Sequence, residues 1–171
     1  MKIVFISDIH GIYDNLEIID KEIKENKIDK LVVLGDLYLG GYDRDLVDAF
    51  LNKYKDKLIC MKGNCDSLSD IYKAPFLIFS DISLINVDNI DIYITHGDKY
   101  NMYNNGKINK GVLVYGHEHI PYIEKENNMI YINVGSISKP RGGFSPTYMI
   151  YNNSCFTIYD VNGNIVNKIE V

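Results

Sequence analysis

The chain has 171 residues, a formal net charge of −5, and 46% hydrophobic against 24% charged residues. This length fits one domain, residues 1–171, and the composition excludes a disordered chain. The acidic balance, without a long basic run, argues against nucleic acid or an anionic membrane as a partner. No segment approaches the roughly 18 apolar residues of a membrane span. The three cysteines, an odd number without framework spacing, predict reduced thiols in a cytoplasmic protein.

The first part of the chain alternates strand and helix patterns. Apolar runs rich in β-branched residues predict strands at 2–6, 31–34 and 58–61. Apolar residues spaced by three and four predict helices at 13–25 and 43–54, and a short helix is expected at 67–72. This order implies parallel pairing of the three strands through right-handed crossovers.

The remainder of the chain has a β pattern. Nine further strands are predicted at 76–79, 83–87, 90–95, 112–115, 122–125, 129–133, 147–151, 155–160 and 165–169. Asn-rich turns between several of them indicate hairpins. The polar segment 98–110 is expected to be an exposed connection, with a place in the pocket wall as the alternative. The whole pattern predicts an α/β fold of two packed sheets with helices outside.

Polar side chains follow most strong strand candidates in the first two thirds of the chain, and they include all four histidines of the sequence. These candidate metal ligands are Asp8, His10, Asp36, Asn64, His96, His117 and His119. Open α/β sheets place their sites outside the carboxyl ends of the strands. We therefore expect the seven side chains to gather along one rim.

The donor types favour a particular metal chemistry. Nitrogen and oxygen donors without a thiolate requirement suit Mn²⁺, Fe²⁺, Zn²⁺ or Mg²⁺. Seven donors exceed the needs of one ion and suit two ions about 3.5–4 Å apart that share a carboxylate. Asp36 stands alone in the middle of the order and is the natural bridge. Taken singly, an Asp after a strand is equally a turn residue or helix N-cap, and a lone His is more often a packing residue.

Several short motifs together resemble one family, the calcineurin-like metallophosphoesterases. They are Asp8-x-His10, Gly35-Asp36, Gly63-Asn64-Cys65-Asp66, Thr95-His96-Gly97 and Gly116-His117-x-His119. The size of the chain and the segment 133–141 are most similar to the small bacterial and archaeal phosphodiesterases of that family. The resemblance implies an α-β-β-α sandwich of two stacked mixed sheets flanked by helices.

The resemblance also implies the cofactors and the ligand sets. Two divalent ions are expected, with Mn²⁺ preferred and Ni²⁺, Co²⁺, Zn²⁺, Fe²⁺ or Mg²⁺ as alternatives, and a hydroxide between them is the expected nucleophile. One ion would be held by Asp8, His10, Asp36 and His119. The other would be held by Asp36, Asn64, His96 and His117.

Further roles are predicted for residues beside these ligands. Asn64, Asp66 and His96 are the catalytic candidates, and Cys65, Ser136 and Arg141 are the substrate-binding candidates. Arg141, one of only two arginines, is suited to bidentate phosphate binding, with a plain surface role as the alternative. Asp66 is expected to orient a neighbouring group, to deliver a proton, or to cap the following helix.

The chain departs from the wider family at Cys65, where many members carry a His that protonates the leaving group or binds phosphate. Glu118 replaces the usual small residue between the paired histidines, and Val134 replaces the usual Pro. With all four histidines assigned to metal, no imidazole is left as a general acid, which favours diesters or activated substrates.

The sequence therefore predicts a metal-dependent phosphoesterase, preferentially a phosphodiesterase, with a small phosphoester as substrate. The alternatives are a phosphomonoesterase, a dinucleotide polyphosphate hydrolase, and a non-catalytic scaffold like the retromer subunit of this fold. A nuclease fits less well because no basic groove is indicated. The Tyr and Ile residues of the late hairpins permit a homo-oligomer without requiring one.

Overall fold

A computed structural model describes residues 1–39 and 41–171. Twelve strands are found in this part of the chain: β1 (Lys2–Ile6), β2 (Lys30–Val33), β3 (Leu58–Met61), β4 (Ile78–Phe79), β5 (Ile82–Val87), β6 (Ile90–Thr95), β7 (Gly111–Tyr115), β8 (Pro121–Glu126), β9 (Met129–Val134), β10 (Thr147–Asn152), β11 (Cys155–Asp160) and β12 (Ile165–Glu170). Three helices are found in the same residues: α1 (Leu16–Glu25), α2 (Arg44–Lys53) and α3 (Leu68–Lys73).

The strands form two mixed sheets. The seven-stranded sheet has the order β12-β11-β10-β1-β2-β3-β4, and the strands from β1 to β4 run parallel. The five-stranded sheet has the order β5-β6-β7-β9-β8, with β6, β7 and β9 parallel. The predicted parallel pairing of the first three strands is therefore confirmed. Each sheet contributes parallel strands whose carboxyl ends are available for a site.

The main core lies between the two sheets. It contains Phe5 and Val32 of the seven-stranded sheet and Ile94, Val114 and Ile132 of the five-stranded one, all fully buried. Burying this face removes a large apolar area from water, which is the dominant favourable term in folding.

The helices α1 and α2 pack on the outer face of the seven-stranded sheet. Leu16 and Ile19 of α1 and Val47 and Leu51 of α2 share one buried cluster with residues such as Val33. These side chains repeat at three- and four-residue spacing, so each helix presents one apolar stripe to the sheet.

The outer face of the five-stranded sheet is covered by the segment after β6. Met102 and Ile108 pack against Leu113, Tyr115 and neighbouring residues on that face. Segment 98–110 is thus partly a cover for the sheet as well as an exposed connection. The predicted sandwich of two mixed sheets flanked by helices is confirmed, with α1 and α2 forming one outer layer.

The Asn-rich turns connect antiparallel neighbours, as predicted. Asp88 and Asn89 join β5 to β6 with φ of 53° and 63°, and Asn153 and Ser154 join β10 to β11 with φ of 49° and 59°. Two consecutive positive φ values are the signature of a tight hairpin turn that matches strand twist.

Element boundaries differ from the sequence prediction at a few places. The strand predicted at 76–79 is only the two-residue β4, because Pro75 precedes it and Leu77 is exposed. The helix predicted at 13–25 begins at Leu16. Helix α3 is capped by Ser67, whose side chain accepts from the Asp70 amide in a capping box, so Asp66 does not cap it. Among the described residues, no helix is long and apolar enough to cross a membrane.

Candidate metal centre

The carboxyl ends of strands from both sheets converge on one cleft. The cleft has a volume of about 310 Å³ and is lined by His10, Asp36, Asn64, Cys65, His117, Glu118, His119 and Arg141. The loops after β1, β2 and β3 enter from the seven-stranded sheet, and the loop after β7 enters from the five-stranded sheet. A hydrogen bond of 2.9 Å from the His117 amide to Asp8 Oδ2 joins the two sets of loops.

Three histidines are oriented by backbone carbonyls. His10 Nδ1 lies 2.8 Å from the Leu39 carbonyl oxygen, His96 Nδ1 2.8 Å from that of Leu34, and His119 Nδ1 2.5 Å from that of Lys139. A carbonyl oxygen only accepts, so each Nδ1 carries a proton, and Nε2 is the ring nitrogen left for a metal ion. This arrangement is typical of histidines that bind metal ions.

The first group of candidate donors is formed by Asp8, His10 and His119. His119 Nε2 lies 3.2 Å from Asp8 Oδ1 and 3.3 Å from His10 Nε2. Asp8 is fully buried, and its Oδ1 is one of only two buried side-chain atoms without a hydrogen-bond partner in the described residues. Two imidazole nitrogens and a carboxylate oxygen at these distances must share a proton or a metal ion, because their lone pairs otherwise repel one another. The donors of Asp8, His10 and His119 therefore fit a divalent metal ion.

Asp36 lies between this group and the remaining donors. Its Oδ2 is 3.6 Å from His10 Nε2, and its Oδ1 is 3.4 Å from His96 Nε2. The amide of Cys65 donates to the same Oδ1 at 2.9 Å. The two carboxylate oxygens thus face different histidines, which is the geometry that a shared ligand needs.

The second group of donors is assembled around His96. Asn64 Oδ1 lies 2.9 Å from His96 Nε2, and the His117 ring stands edge-on to the His96 ring with centroids 5.0 Å apart. Asp8, Asp36 and His96 also form a compact set of potential ligand atoms. A further compact set contains His10, Asp36 and Cys65, which brings the thiol close to the metal donors.

The backbone at the candidate ligands has an unusual conformation. Asp8, His10, Asp36, His117 and His119 all have positive φ, between 52° and 67°. Non-glycine residues adopt this left-handed region at a cost, and such residues concentrate at functional sites. The strand ends are bent so that side chains turn into the cleft.

Two glycines allow the loops to approach one another. A Cβ on Gly63 would lie 2.1 Å from Asp36 Oδ1, and one on Gly116 would lie 1.9 Å from Ser7 Oγ and 2.5 Å from Asp8 Oδ2. Any larger residue at either position would displace a candidate metal ligand.

Asp66 lies behind the cleft wall. Its Oδ2 accepts from the amides of Asp36 at 3.0 Å and Gly63 at 2.8 Å, and its Oδ1 accepts from the Leu37 amide at 2.8 Å. The residue is 2% exposed and does not line the cleft as the described residues form it. The carboxylate ties the loop after β2 to the loop after β3, which is the orienting role among the sequence alternatives. A role in proton delivery finds no geometric support.

Ser136 also lies outside the cleft lining. Its Oγ donates to the Asp8 carbonyl at 2.9 Å and accepts from the Lys139 amide at 2.8 Å. Ser138 Oγ donates to the same Asp8 carbonyl at 2.8 Å. Ser136 therefore holds the Asp8 loop, whereas Cys65 and Arg141, the other two substrate-binding candidates, line the cleft.

Charge in the site shifts several pKa values. Burial alone would raise the pKa of Asp8, but the neighbouring His119 and His96 outweigh it and lower that pKa. Burial would lower the pKa of His119, but its interaction with Asp8 raises it. Burial raises the pKa of Asp66 despite the amides of Gly63 and Leu37. Burial and the nearby Asp36 raise the pKa of Cys65 to about 12.

Some contributors to the site were missed in the sequence. Ser138 Oγ donates to the Asp8 carbonyl. The Ser-x-Ser spacing with Ser136 is a weak sequence signal for this supporting contact. The Leu34, Leu39 and Lys139 carbonyls orient the histidines, but a backbone carbonyl leaves no mark in the sequence.

A sandwich in which both sheets send nitrogen and oxygen donors into one open cleft defines a metal-binding α/β protein. Family comparison makes the class specific: residues 1–154 match the calcineurin-like phosphoesterase superfamily domain. The chain belongs to this superfamily, which confirms the family predicted from the sequence motifs.

Three relatives illustrate the similarity. Phosphodiesterase YfcE of Escherichia coli strain K12 is 30% identical over 171 residues, covering 95% of this chain and 93% of YfcE. Its solved structure has a TM-score of 0.93 and 31% identity, covering 99% and 98%. Probable metallophosphoesterase YsnB of Bacillus subtilis strain 168 is 28% identical, covering 99% and 97%. The solved structure of vacuolar protein sorting 29 from Cryptosporidium parvum shares the fold, with a TM-score of 0.65. It is 15% identical, and the match covers 99% of this chain and 98% of that one.

Proposed function

We propose that this protein is a divalent-metal-dependent phosphodiesterase that hydrolyses small phosphoesters. The observation that carries the proposal is the close approach of the His10 and His119 Nε2 atoms to each other and of His119 Nε2 to the buried Asp8 Oδ1, which has no hydrogen-bond partner. The similarity to YfcE, which is named a phosphodiesterase, supports the reaction class. A complete donor set argues against a scaffold without catalysis.

We assign the donors to two ions that share Asp36. One set is Asp8, His10, Asp36 and His119, and the other is Asp36, Asn64, His96 and His117. Mn²⁺ is the proposed metal, since nitrogen and oxygen donors accept it readily. Bound ions supply Lewis acidity and lower the pKa of a coordinated water.

The protein's own residues position the substrate and the site. The Arg141 guanidinium binds the non-bridging oxygens of the phosphoryl group, for which its planar donors are suited. Asp66 and Ser136 keep the ligand loops in place through backbone hydrogen bonds. Because the His10, His96 and His119 rings are held as ligands, the leaving group takes its proton from solvent. Leaving groups of low pKa are therefore favoured.

A matrix of metals and substrates tests this function. Protein stripped with a chelator is reloaded with Mn²⁺, Ni²⁺, Co²⁺, Zn²⁺, Fe²⁺ or Mg²⁺ and assayed with bis-p-nitrophenyl phosphate and p-nitrophenyl phosphate. We expect activity to return with metal and the diester to be hydrolysed faster than the monoester, with Mn²⁺ giving the highest rate. Equal or reversed rates would place the protein among the monoesterases, and inactivity with every metal would support the scaffold.

Replacing Cys65 by Ser is expected to change kcat and KM by less than about threefold. The amide of Cys65, which the variant keeps, holds Asp36 Oδ1, and a thiol is only a weak hydrogen-bond donor. Steady-state kinetics with bis-p-nitrophenyl phosphate measures the effect, with Cys155→Ser as the control at a distant cysteine. A loss of more than tenfold in the Cys65 variant alone would make the thiol a functional group.

We also propose a cytoplasmic location, because Cys60, Cys65 and Cys155 are free thiols. A homo-oligomer stays a prediction of the sequence.

A further inference from the structure

The cleft lining contains a carboxylate that is not among the candidate metal donors. Glu118 lies between the candidate ligands His117 and His119 in the loop after β7, and all three residues line the cleft. The only other carboxylate in the lining, as the described residues form it, belongs to Asp36, which is itself a candidate donor. The charge of Glu118 is therefore left to act on whatever enters the cleft.

The side chain of Glu118 is anchored by a buried amide side chain. Asn133 is fully buried, and its Nδ2 donates to Glu118 Oε2 at 3.3 Å and to the Gly116 carbonyl at 2.7 Å. Asn133 Oδ1 accepts from the Gly135 amide at 2.9 Å, so this amide group is fixed at both ends. The Glu118 amide also donates to the Gly116 carbonyl, at 2.8 Å. These hydrogen bonds position the Glu118 side chain, and none of them requires its negative charge.

The charge of Glu118 is not neutralised by a neighbouring cation. The ion pairs of Lys and Arg side chains found among the described residues all go to other carboxylates. Burial raises the pKa of Tyr115 to about 12, and the Glu118 charge contributes to that rise. Burial, the Tyr115 hydroxyl and Glu118 all raise the pKa of Tyr122. Both phenols therefore stay neutral and leave the carboxylate uncompensated.

We propose that the Glu118 carboxylate determines specificity by disfavouring dianionic phosphomonoesters, so that the cleft selects monoanionic phosphodiesters. This inference rests on the proposed function and names the residue that sets its substrate class. A phosphomonoester loses its second proton at about pH 6 and then carries two negative charges, whereas a diester carries one. Repulsion from a fixed carboxylate is proportional to the charge of the substrate, so it disfavours a dianion twice as strongly in free energy.

Replacing Glu118 by Gln tests this charge, because Gln keeps an acceptor for Asn133. The assays use Mn²⁺-loaded protein at about pH 8, where the monoester is a dianion. The substrates are p-nitrophenyl phosphate and bis-p-nitrophenyl phosphate, which release the same leaving group. We expect kcat/KM to rise about tenfold for the monoester and about threefold for the diester, because the repulsion that is removed scales with substrate charge. Both gains should shrink at high salt, which screens the charges.

Two further variants separate the charge from a structural role. Glu118→Asp shortens the side chain but keeps its charge, and should keep the preference of the native chain for the diester. Glu124→Gln removes the same charge from an exposed position on β8, outside the cleft lining, and should leave both rates unchanged. Equal changes for the two substrates in Glu118→Gln, or the same selective gain in Glu118→Asp, would overturn the proposal while leaving phosphodiesterase activity established.

A binding measurement separates the charge effect from the reaction. Titration calorimetry of the Mn²⁺-loaded protein with methyl phosphate and dimethyl phosphate compares a dianion with a monoanion. Glu118→Gln should lower the Kd of methyl phosphate about tenfold and that of dimethyl phosphate about threefold. If no phosphoester is turned over, the proposed function fails, and this titration alone decides the role of Glu118. Equal changes in the two Kd values, or no change in either, would then overturn it.

Discussion

Replacing Asp36 by Asn is expected to lower kcat/KM for bis-p-nitrophenyl phosphate by at least about 10³-fold while the fold is kept. Asp36 is the side chain whose two oxygens face different histidines, His10 at 3.6 Å and His96 at 3.4 Å. Asn keeps one oxygen and replaces the other with an amide that cannot bind a metal ion through a lone pair. Metal ions contribute several kcal/mol to the reaction, and each 1.4 kcal/mol is a factor of ten in rate.

The fold should survive this substitution because Asn retains one acceptor. The Cys65 amide donates to Asp36 Oδ1 at 2.9 Å, and the Asn oxygen can take that position. The side chains of Asp36 and Asn have nearly the same volume, so the contact with Gly63 is not tightened. Far-ultraviolet circular dichroism and thermal unfolding should therefore resemble those of the native chain.

Metal content gives a second measurement for the Asp36 variant. Mass spectrometry of the metal-loaded and desalted protein should give about two ions per native chain and one or fewer per variant chain. Asp91→Asn, an exposed carboxylate near the amino end of β6, is the control that changes the same charge away from the site. Retained activity in Asp36→Asn would refute the assignment of Asp36 as the shared ligand.

The fold could be predicted well from the sequence because its parallel strands are continuous apolar runs. β1, β2 and β7 are almost wholly buried, so each stands out in the sequence as a short apolar run. β4 was predicted too long, because the apolar residues Phe76 and Leu77 resemble a strand but do not pair in the sheet.

The convergence of the candidate metal donors could also be predicted, since each follows a strand and topology brings strand ends together. The contacts of Asp66 and Ser136 could not be predicted, because both depend on which backbone amides and carbonyls face them. A sequence does not distinguish a buried Asp that accepts hydrogen bonds from three backbone amides from an exposed catalytic Asp.

Replacing Asp66 by Asn is expected to lower the free energy of unfolding by about 2–3 kcal/mol and to reduce activity at the same time. The Asp66 carboxylate accepts from the amides of Asp36, Leu37 and Gly63 and is 2% exposed. An Asn side chain offers one oxygen, and its NH₂ group would face an amide donor, so at least one buried amide loses its partner. An unsatisfied buried polar group costs about 1–3 kcal/mol, and bonds to a charged acceptor cost more.

The two effects of the Asp66 substitution have one physical cause, which distinguishes a positioning residue from a proton donor. Release of the Asp36 and Gly63 amides displaces the Asp36 carboxylate, so metal affinity should fall together with kcat. A proton donor would instead lower kcat mainly for substrates with poor leaving groups and leave metal affinity and unfolding unchanged. Urea unfolding, metal titration, and rates with a series of substituted phenyl diesters separate these outcomes, with the exposed Asp56→Asn as the control. The variant could instead keep the stability and metal affinity of the native chain and lose rate only with poor leaving groups. That result would identify Asp66 as the proton donor.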